Sequence, residues 1–146
     1  MQNRSAVAVV LAILTSCIVV SAQAQTSLGE AIDAGAIIVS KEDLMALLPG
    51  ASASGMTGSG VSYRFDYQAD ASLSGSFRWT NGRTYGLTGK WSVNDKGQLC
   101  TDYVSHPSNQ RSTSCYFHFK LRDQYFLTES DSDRSVRLIK RDIAKK

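Results

Sequence analysis

Residues 100–118 hold the densest group of metal-ligating and nucleophilic side chains in the chain: Cys100, Asp102, His106, Cys115 and His118. Cysteine and histidine at such spacings are typical of zinc sites in reducing compartments, and a thiol beside a histidine can also act as a nucleophile. Two cysteines that face each other across a hairpin would instead form a disulfide. The compartment and the strand geometry decide among these three chemistries.

The N-terminus predicts export. Arg4 precedes an apolar run over residues 6–20, and the Ala-Gln-Ala at residues 22–24 satisfies the small-x-small rule for signal peptidase. The run is shorter than the ~20 residues that span a bilayer, so we predict a signal peptide at residues 1–24 and a periplasmic or secreted protein. As an alternative, "LTSC" resembles a lipobox, and acylation of its Cys17 would make the protein a membrane-anchored lipoprotein.

Strand geometry favours the disulfide. Alternating side chains on both sides of Pro107 predict a hairpin in which Cys100 lies directly opposite Cys115, within reach of a disulfide. His118 is an odd number of residues beyond Cys115 and therefore projects from the other face of its strand, while His106 falls in the loop. We therefore predict a disulfide between Cys100 and Cys115, and we assign no metal site and no catalytic thiol.

No other motif indicates catalysis. The chain has no G-x-S-x-G nucleophile elbow, and the alternating acids Glu129, Asp131 and Asp133 lack the order of a calcium-binding EF-hand loop, so we expect a solvated turn there. We assign no catalytic residues and no cofactor, and we expect the protein not to be an enzyme. The net charge of +3 is nearly balanced, so we expect no nucleic-acid partner, and no second apolar run is long enough for a transmembrane span.

The segment 25–60 is predicted to be a short helical region followed by a flexible loop. Ser27 and Glu30 form a capping box, and Ser40 begins a second helix that carries an apolar stripe ending at Leu48. That helix is expected to cover one end or face of the domain. Residues 51–60 are small and rich in glycine and serine, which predicts a linker or mobile loop.

Residues 61–146 are predicted to form an antiparallel β-domain. Apolar and polar side chains alternate from Val61 onward, Asn81-Gly82 predicts a hairpin turn, and a bend or bulge is expected at Gly86 or Gly89. The fold class is therefore mainly β: a small antiparallel up-and-down barrel or strongly coiled sheet of seven or eight strands, with one or two short N-terminal helices. The basic C-terminus, which includes Arg141, is interpreted as a solvated, frayed terminal strand.

The aromatic residues all lie between Tyr63 and Phe126, which places the large core in the β-domain. In a barrel, some of these side chains can line a cavity near the mouth, and Tyr and Trp suit amphipathic ligands. The possible ligand-binding residues are Tyr63, Tyr67, Trp79, Tyr85, Trp91 and Tyr103.

A resemblance to a known family appears at residues 89–100, where a G-x-W-x-V strand is followed by a D-x-G turn and Leu99-Cys100, with Cys115-Tyr116 in the next strand. This pattern resembles a family of small exported proteobacterial proteins of unknown function, and "KEDLMALLPG" at residues 41–50 is also similar to theirs. The resemblance spans residues 36–130. It implies a periplasmic or secreted barrel-like domain and carries no catalytic residues.

Two functions are compatible with these features. The first is a non-enzymatic, lipocalin-like binding protein that holds a small amphipathic ligand in or at the barrel. The alternative is an envelope or secreted protein-interaction factor, such as a hydrolase inhibitor or a virulence accessory with an envelope or host protein as partner. A cavity open at one end would favour the first, and a barrel filled by side chains with an exposed apolar patch would favour the second.

Overall fold

The computed structural model describes residues 27–145. Two short helices and nine strands follow one another in the order α1 (Leu28–Asp33), β1 (Ile37–Ile38), α2 (Lys41–Leu47), β2 (Ala51–Met56), β3 (Ser62–Tyr67), β4 (Ser72–Arg78), β5 (Thr84–Val93), β6 (Leu99–His106), β7 (Gln110–Leu121), β8 (Gln124–Thr128) and β9 (Ile139–Lys145). The predicted signal peptide and Cys17 lie outside the described residues.

Strands β2 to β9 form a closed antiparallel barrel. Each pairs with its neighbour in sequence, and β9 returns to pair with β2, so that Arg141 lies opposite Gly55. The short strand β1 pairs with Phe119 and Lys120 of β7. These residues lie beyond Tyr116, where the pairing of β7 with β6 ends. The predicted fold class is confirmed, and closure explains why a meander of this length leaves few exposed strand edges.

Helix α2 belongs to the interior core. Ser40 caps it by accepting a hydrogen bond from the Asp43 amide at 3.1 Å, as the sequence predicts. Leu44 and Leu48 are fully buried and pack in one cluster with Tyr67, Trp91 and other inward residues of the barrel. The apolar stripe therefore covers one end of the barrel, which we call the closed end.

Helix α1 packs on the outside of the barrel instead. The predicted capping box between Ser27 and Glu30 is present. Leu28 and Ala31 are buried in a second cluster with Phe117, Phe119, Phe126 and Leu138, which project from the outer face of β7 and β8 and from the chain before β9. Neither helix in residues 27–145 approaches the length and apolarity needed to cross a membrane.

The prediction of a flexible loop at residues 51–60 is wrong for its first six positions, which form the barrel strand β2. The small residues have a packing role there, because Ala51 and Ala53 face the interior and are fully buried beside large aromatic side chains. Gly55 lies opposite both Tyr63 and Arg141, and a Cβ at this position would overlap the Tyr63 hydroxyl. The small residues of β2, which are typical of a linker, instead leave space for the aromatic rings on the neighbouring strand.

The bulge expected in β5 is absent. The register with β6 runs without interruption from Gly86 to Val93. Gly89 marks a close approach of two backbones, since a Cβ there would lie 2.6 Å from the Tyr103 Cα, whereas Gly86 has open space around it. A side chain at Gly89 would therefore disrupt the pairing of β5 with β6, whereas one at Gly86 would not.

The C-terminal segment is not a frayed, solvated strand. β9 lies between β8 and β2 and closes the barrel, and Arg141 in its middle is 5% exposed. The neighbouring Lys140 and Asp142 are exposed, as strand alternation requires. Basic residues on both faces of β9 make the segment look uniformly polar in sequence, although only one face is exposed.

The predicted disulfide between Cys100 and Cys115 is confirmed. The register is also the expected one, with Asp102 opposite Thr113 and with Pro107 in the turn. His118 projects from the face opposite Cys115 and is buried. The group of candidate ligands in residues 100–118 is thereby divided between the outside and the inside of the barrel.

Replacing both cysteines with serine is expected to lower the free energy of unfolding by about 3 kcal/mol, because the bridge closes a loop of 15 residues in the unfolded chain. Urea denaturation of the oxidised protein and of the double variant measures the difference. Dithiothreitol should lower the stability of the parent protein but leave that of the double variant unchanged. Equal stability of the two proteins under oxidising conditions would show that the bridge contributes nothing.

Candidate functional site

Aromatic side chains fill the middle of the barrel. The rings of Tyr63, Phe65, Phe77 and Tyr103 contact one another with centroid separations of 5.4–5.8 Å. Toward the closed end, Tyr67 and Trp91 meet edge to face at 5.8 Å. The interior at this level is occupied by side chains, so it differs from the open cavity that the ligand-binding hypothesis expects.

The six aromatic residues predicted to contact a ligand separate into two groups. Tyr63, Tyr67 and Trp91 are buried, and Tyr103 is partly buried against the same core. Tyr85 is opposite Phe77 at the other end of the barrel, which we call the open end because neither described helix packs there. Trp79 lies outside the strands, is 49% exposed and contacts the Tyr85 ring at 6.4 Å. The structure therefore places four of the six in the core and two at a rim.

The guanidinium of Arg141 lies at the centre of the barrel among neutral groups. Its Nε donates to the Tyr63 hydroxyl at 3.3 Å, and its Nη1 donates to the Tyr67 hydroxyl and to His118 Nε2, each at 3.2 Å. Its carbon also lies 5.3 Å from the Tyr63 ring centroid and 5.8 Å from that of Phe65. Arg141 makes no salt bridge within residues 27–145, although a buried guanidinium remains charged.

His118 is neutral in this environment. Burial, and then the positive charge of Arg141, lower its pKa to about 3, against a smaller opposite effect of the Tyr116 backbone. Because arginine has no hydrogen-bond acceptor, the Nε2 atom that faces Arg141 must be the unprotonated one, which places the proton on Nδ1. Nδ1 is buried and makes no well-formed hydrogen bond within the described chain.

Tyrosine hydroxyls surround this charged centre. Burial raises the pKa of Tyr67, and the nearby Arg141 only partly offsets that effect. Burial also raises the pKa of Tyr116, and Glu129, Tyr103 and Tyr63 raise it further, against a smaller opposite effect of the positive charge of Arg141. Tyr67 and Tyr116 are therefore protonated at neutral pH, and their hydroxyl groups are neutral beside the one positive charge of Arg141.

The polar groups outside the barrel make compact local contacts. Asp102 accepts hydrogen bonds from the Arg111 Nε at 2.8 Å and from the Thr113 hydroxyl at 3.3 Å, and the Arg111 contact lowers its pKa. His106 bonds to the Thr88 hydroxyl at 3.0 Å at the end of β6. No group of three metal-ligating side chains occurs in residues 27–145.

A cleft of about 220 Å³ lies on the outer surface between β3, β2 and β9, lined by Ser52, Ser54, Arg64, Asp142, Ile143, Ala144 and Lys145.

Comparison with known proteins identifies a family. A family model described as "Protein of unknown function (DUF995)" matches residues 12–135. The chain belongs to the DUF995 family. No curated protein and no solved structure shows significant similarity to it. The resemblance to a family of unknown function is thus confirmed, and membership in DUF995 brings no assigned activity.

Arg141 and His118 were missed as site residues by the sequence analysis. A signal was available in each strand: Ile139, Arg141 and Ile143 alternate with two charged residues, and His118 alternates with Phe117 and Phe119. In β7 both faces are partly apolar, since Phe117 and Phe119 pack under α1 outside the barrel, so alternation alone could not show that His118 faces the interior. In β9 the two isoleucines on the same face as Arg141 did mark the inward face.

Proposed function

We propose that the protein is a non-enzymatic binding protein that takes up a small amphipathic molecule at the open end of the barrel. The observation that carries the proposal is the change in polarity along the barrel axis. The partly buried ring of Tyr85 lies at the open end, those of Phe77 and Tyr103 follow toward the middle, and Arg141, which has no anionic partner within residues 27–145, lies at the centre. A ligand with an apolar part and a polar end matches this order.

A periplasmic or secreted location forms part of the proposal. The disulfide between Cys100 and Cys115 fits an oxidising compartment. In such a compartment the protein would meet amphipathic molecules released from membranes or from outside the cell. The exposed Trp79 at the rim of the open end provides an aromatic contact for a molecule that approaches the barrel.

Entry of a ligand requires movement of side chains. The cluster of Phe65, Phe77 and Tyr103 lies between the open end and Arg141, and Phe77 and Tyr103 are the members that remain partly exposed. Rotation of these two rings would open space without changing the backbone. The barrel hydrogen bonds can therefore stay intact during uptake.

Titration with the neutral fluorescent probe N-phenyl-1-naphthylamine tests the proposal. We expect saturable binding with one site per chain, and at least about tenfold weaker binding by a Tyr103→Ala variant, because a buried ring contact is worth roughly 1.5 kcal/mol or more. Val104→Ala, on the outer face of the same strand, is the matched control and should bind as the parent does. Absence of saturable binding by the parent protein would overturn the proposed function.

A second candidate function is protein interaction. The filled middle of the barrel favours it, as do two exposed isoleucines of β1, Ile37 and Ile38, at 66% and 47% exposure. Among the described residues β1 pairs with β7 alone, so its second edge is available to another strand. If neither the neutral probe nor charged amphiphiles bind, this function becomes the better explanation of the fold.

A further inference from the structure

We propose that Arg141, Tyr63 and Tyr67 form a recognition site for the carboxylate headgroup of the amphipathic ligand. This inference rests on the proposed function and specifies its ligand class. It depends on hydrogen-bond donors at the barrel centre for which residues 27–145 provide no acceptor.

The guanidinium of Arg141 has five N–H donors, and three of them are engaged. Nε contacts Tyr63, while Nη1 contacts Tyr67 and His118. Within residues 27–145 the remaining nitrogen, Nη2, makes no hydrogen bond, and 5% of the residue stays exposed. Two donors of a charged group therefore have no partner in the described chain, and Nη2 keeps some contact with solvent.

The tyrosine hydroxyls supply further donors. Each hydroxyl accepts from Arg141, which has no acceptor of its own, so the O–H proton of each tyrosine points to another group. In the described chain neither Tyr63 nor Tyr67 donates to a side chain or backbone oxygen. The site thus offers N–H and O–H donors around one positive charge, and the partners that the described part of the chain gives this charge are all neutral.

Charge and burial indicate the sign of the ligand. Removing a guanidinium from water costs several kcal/mol unless an anion compensates it. His118 cannot supply or share a charge, because it is neutral and already accepts from Nη1. A carboxylate can accept from Nη2 and from a tyrosine hydroxyl at the same time, and charge-assisted bonds of this kind are stronger than neutral ones. A cationic or uncharged headgroup would leave the charge uncompensated.

Gly55 keeps the site free of a side chain on the β2 side. It faces Tyr63 on one neighbouring strand and Arg141 on the other, and any Cβ would overlap the Tyr63 hydroxyl. The hydroxyl therefore occupies space that a side chain of β2 would otherwise fill. This arrangement brings the phenol and the guanidinium together across an intervening strand.

Competition against the neutral probe with three twelve-carbon amphiphiles tests the headgroup. Dodecanoate, dodecanol and dodecyltrimethylammonium share one chain length and differ in charge. We expect dodecanoate to bind at least about tenfold more tightly than the other two, since a charge-assisted bond contributes about 1.5–3 kcal/mol. Equal binding of dodecanoate and dodecanol would overturn the headgroup site and leave the proposed function standing. Failure of all three and of the probe would overturn both.

The Arg141→Met variant separates recognition from folding. We expect it to weaken dodecanoate at least about tenfold and to leave dodecanol within about twofold, whereas a purely structural arginine would weaken both equally. Lys140→Met, which removes one exposed charge from the same strand, is the matched control and should retain the preference. Should Arg141→Met fail to fold, Tyr67→Phe removes one donor and keeps the ring. An unchanged preference for dodecanoate in Tyr67→Phe would contradict a role for that hydroxyl.

Discussion

Replacing Gly89 with alanine is expected to prevent folding of the barrel or to lower its free energy of unfolding by about 3 kcal/mol or more. The added Cβ would overlap the backbone oxygen of Asp102 and lie 2.6 Å from the Tyr103 Cα. These are main-chain atoms of β6, so no rotation of a side chain relieves the overlap. Overpacking of a filled interior costs about 1–3 kcal/mol even where side chains can adjust, and here the paired strands would have to separate.

Gly86→Ala provides a control on the same strand. No atom of residues 27–145 lies within 4 Å of its Cβ position, and its backbone needs no glycine-specific conformation. We expect this variant to stay within about 0.5 kcal/mol of the parent, or to gain slightly through a less flexible unfolded chain. Urea denaturation followed by circular dichroism measures both variants. Equal free energies of unfolding for Gly89→Ala and Gly86→Ala would contradict the close approach of the β5 and β6 backbones at Gly89.

Acidification is expected to destabilise the protein through His118, by up to about 5 kcal/mol. The pKa of this histidine is about 3 in the folded protein and 6.5 for an ordinary histidine, so the unfolded chain binds the proton more readily. Stability should therefore fall as the pH drops below 6.5, with a slope near 1.4 kcal/mol per pH unit until about pH 3. The cause is the burial of the ring and the positive charge of Arg141 beside it.

The difference between the parent and a His118→Gln variant isolates this effect. The glutamine oxygen can accept from Arg141 Nη1 as Nε2 does, and it does not titrate. Urea denaturation at several pH values between 7 and 4 should show the slope in the parent and a much smaller one in the variant. Asp70, Asp95, Asp102 and Asp133 have lowered pKa values, so the stability they contribute is lost only below about pH 4, and equally in both proteins. Parallel stability curves would exclude His118 as the titrating group.

Hydrogen bonds explain why α1 and α2 could be predicted and β2 could not. Both helices begin at capping residues that act over three positions, Ser27 with Glu30 and Ser40 with Asp43, so the signal is contained in the local sequence. The strand β2 has no local signal, because its alanines and glycine are suited to the rings on neighbouring strands. A short polar segment in a sheet depends on its partners, and these are not adjacent to it in sequence.

The candidate site was predictable in part for the same reason. Tyr63, Tyr67 and Trp91 lie on strands with a clear inward parity, and their burial follows from alternation. Arg141 is joined to Tyr63, Tyr67 and His118 across 78, 74 and 23 residues, so these contacts exist only when β9 closes the barrel. A charged residue in a basic C-terminal segment is expected to be solvated, and long-range pairing overrides that expectation here.

The sequence by itself determined the features that depend on spacing along one or two neighbouring strands. These are the mainly β, up-and-down class, the helix caps, the Asn81-Gly82 turn and the disulfide register between Cys100 and Cys115. Only the tertiary structure decided which faces point inward, that β9 pairs with β2, and that a charge lies at the barrel centre. The physical reason is that strand alternation defines two faces without saying which is enclosed, and closure of the barrel makes that choice.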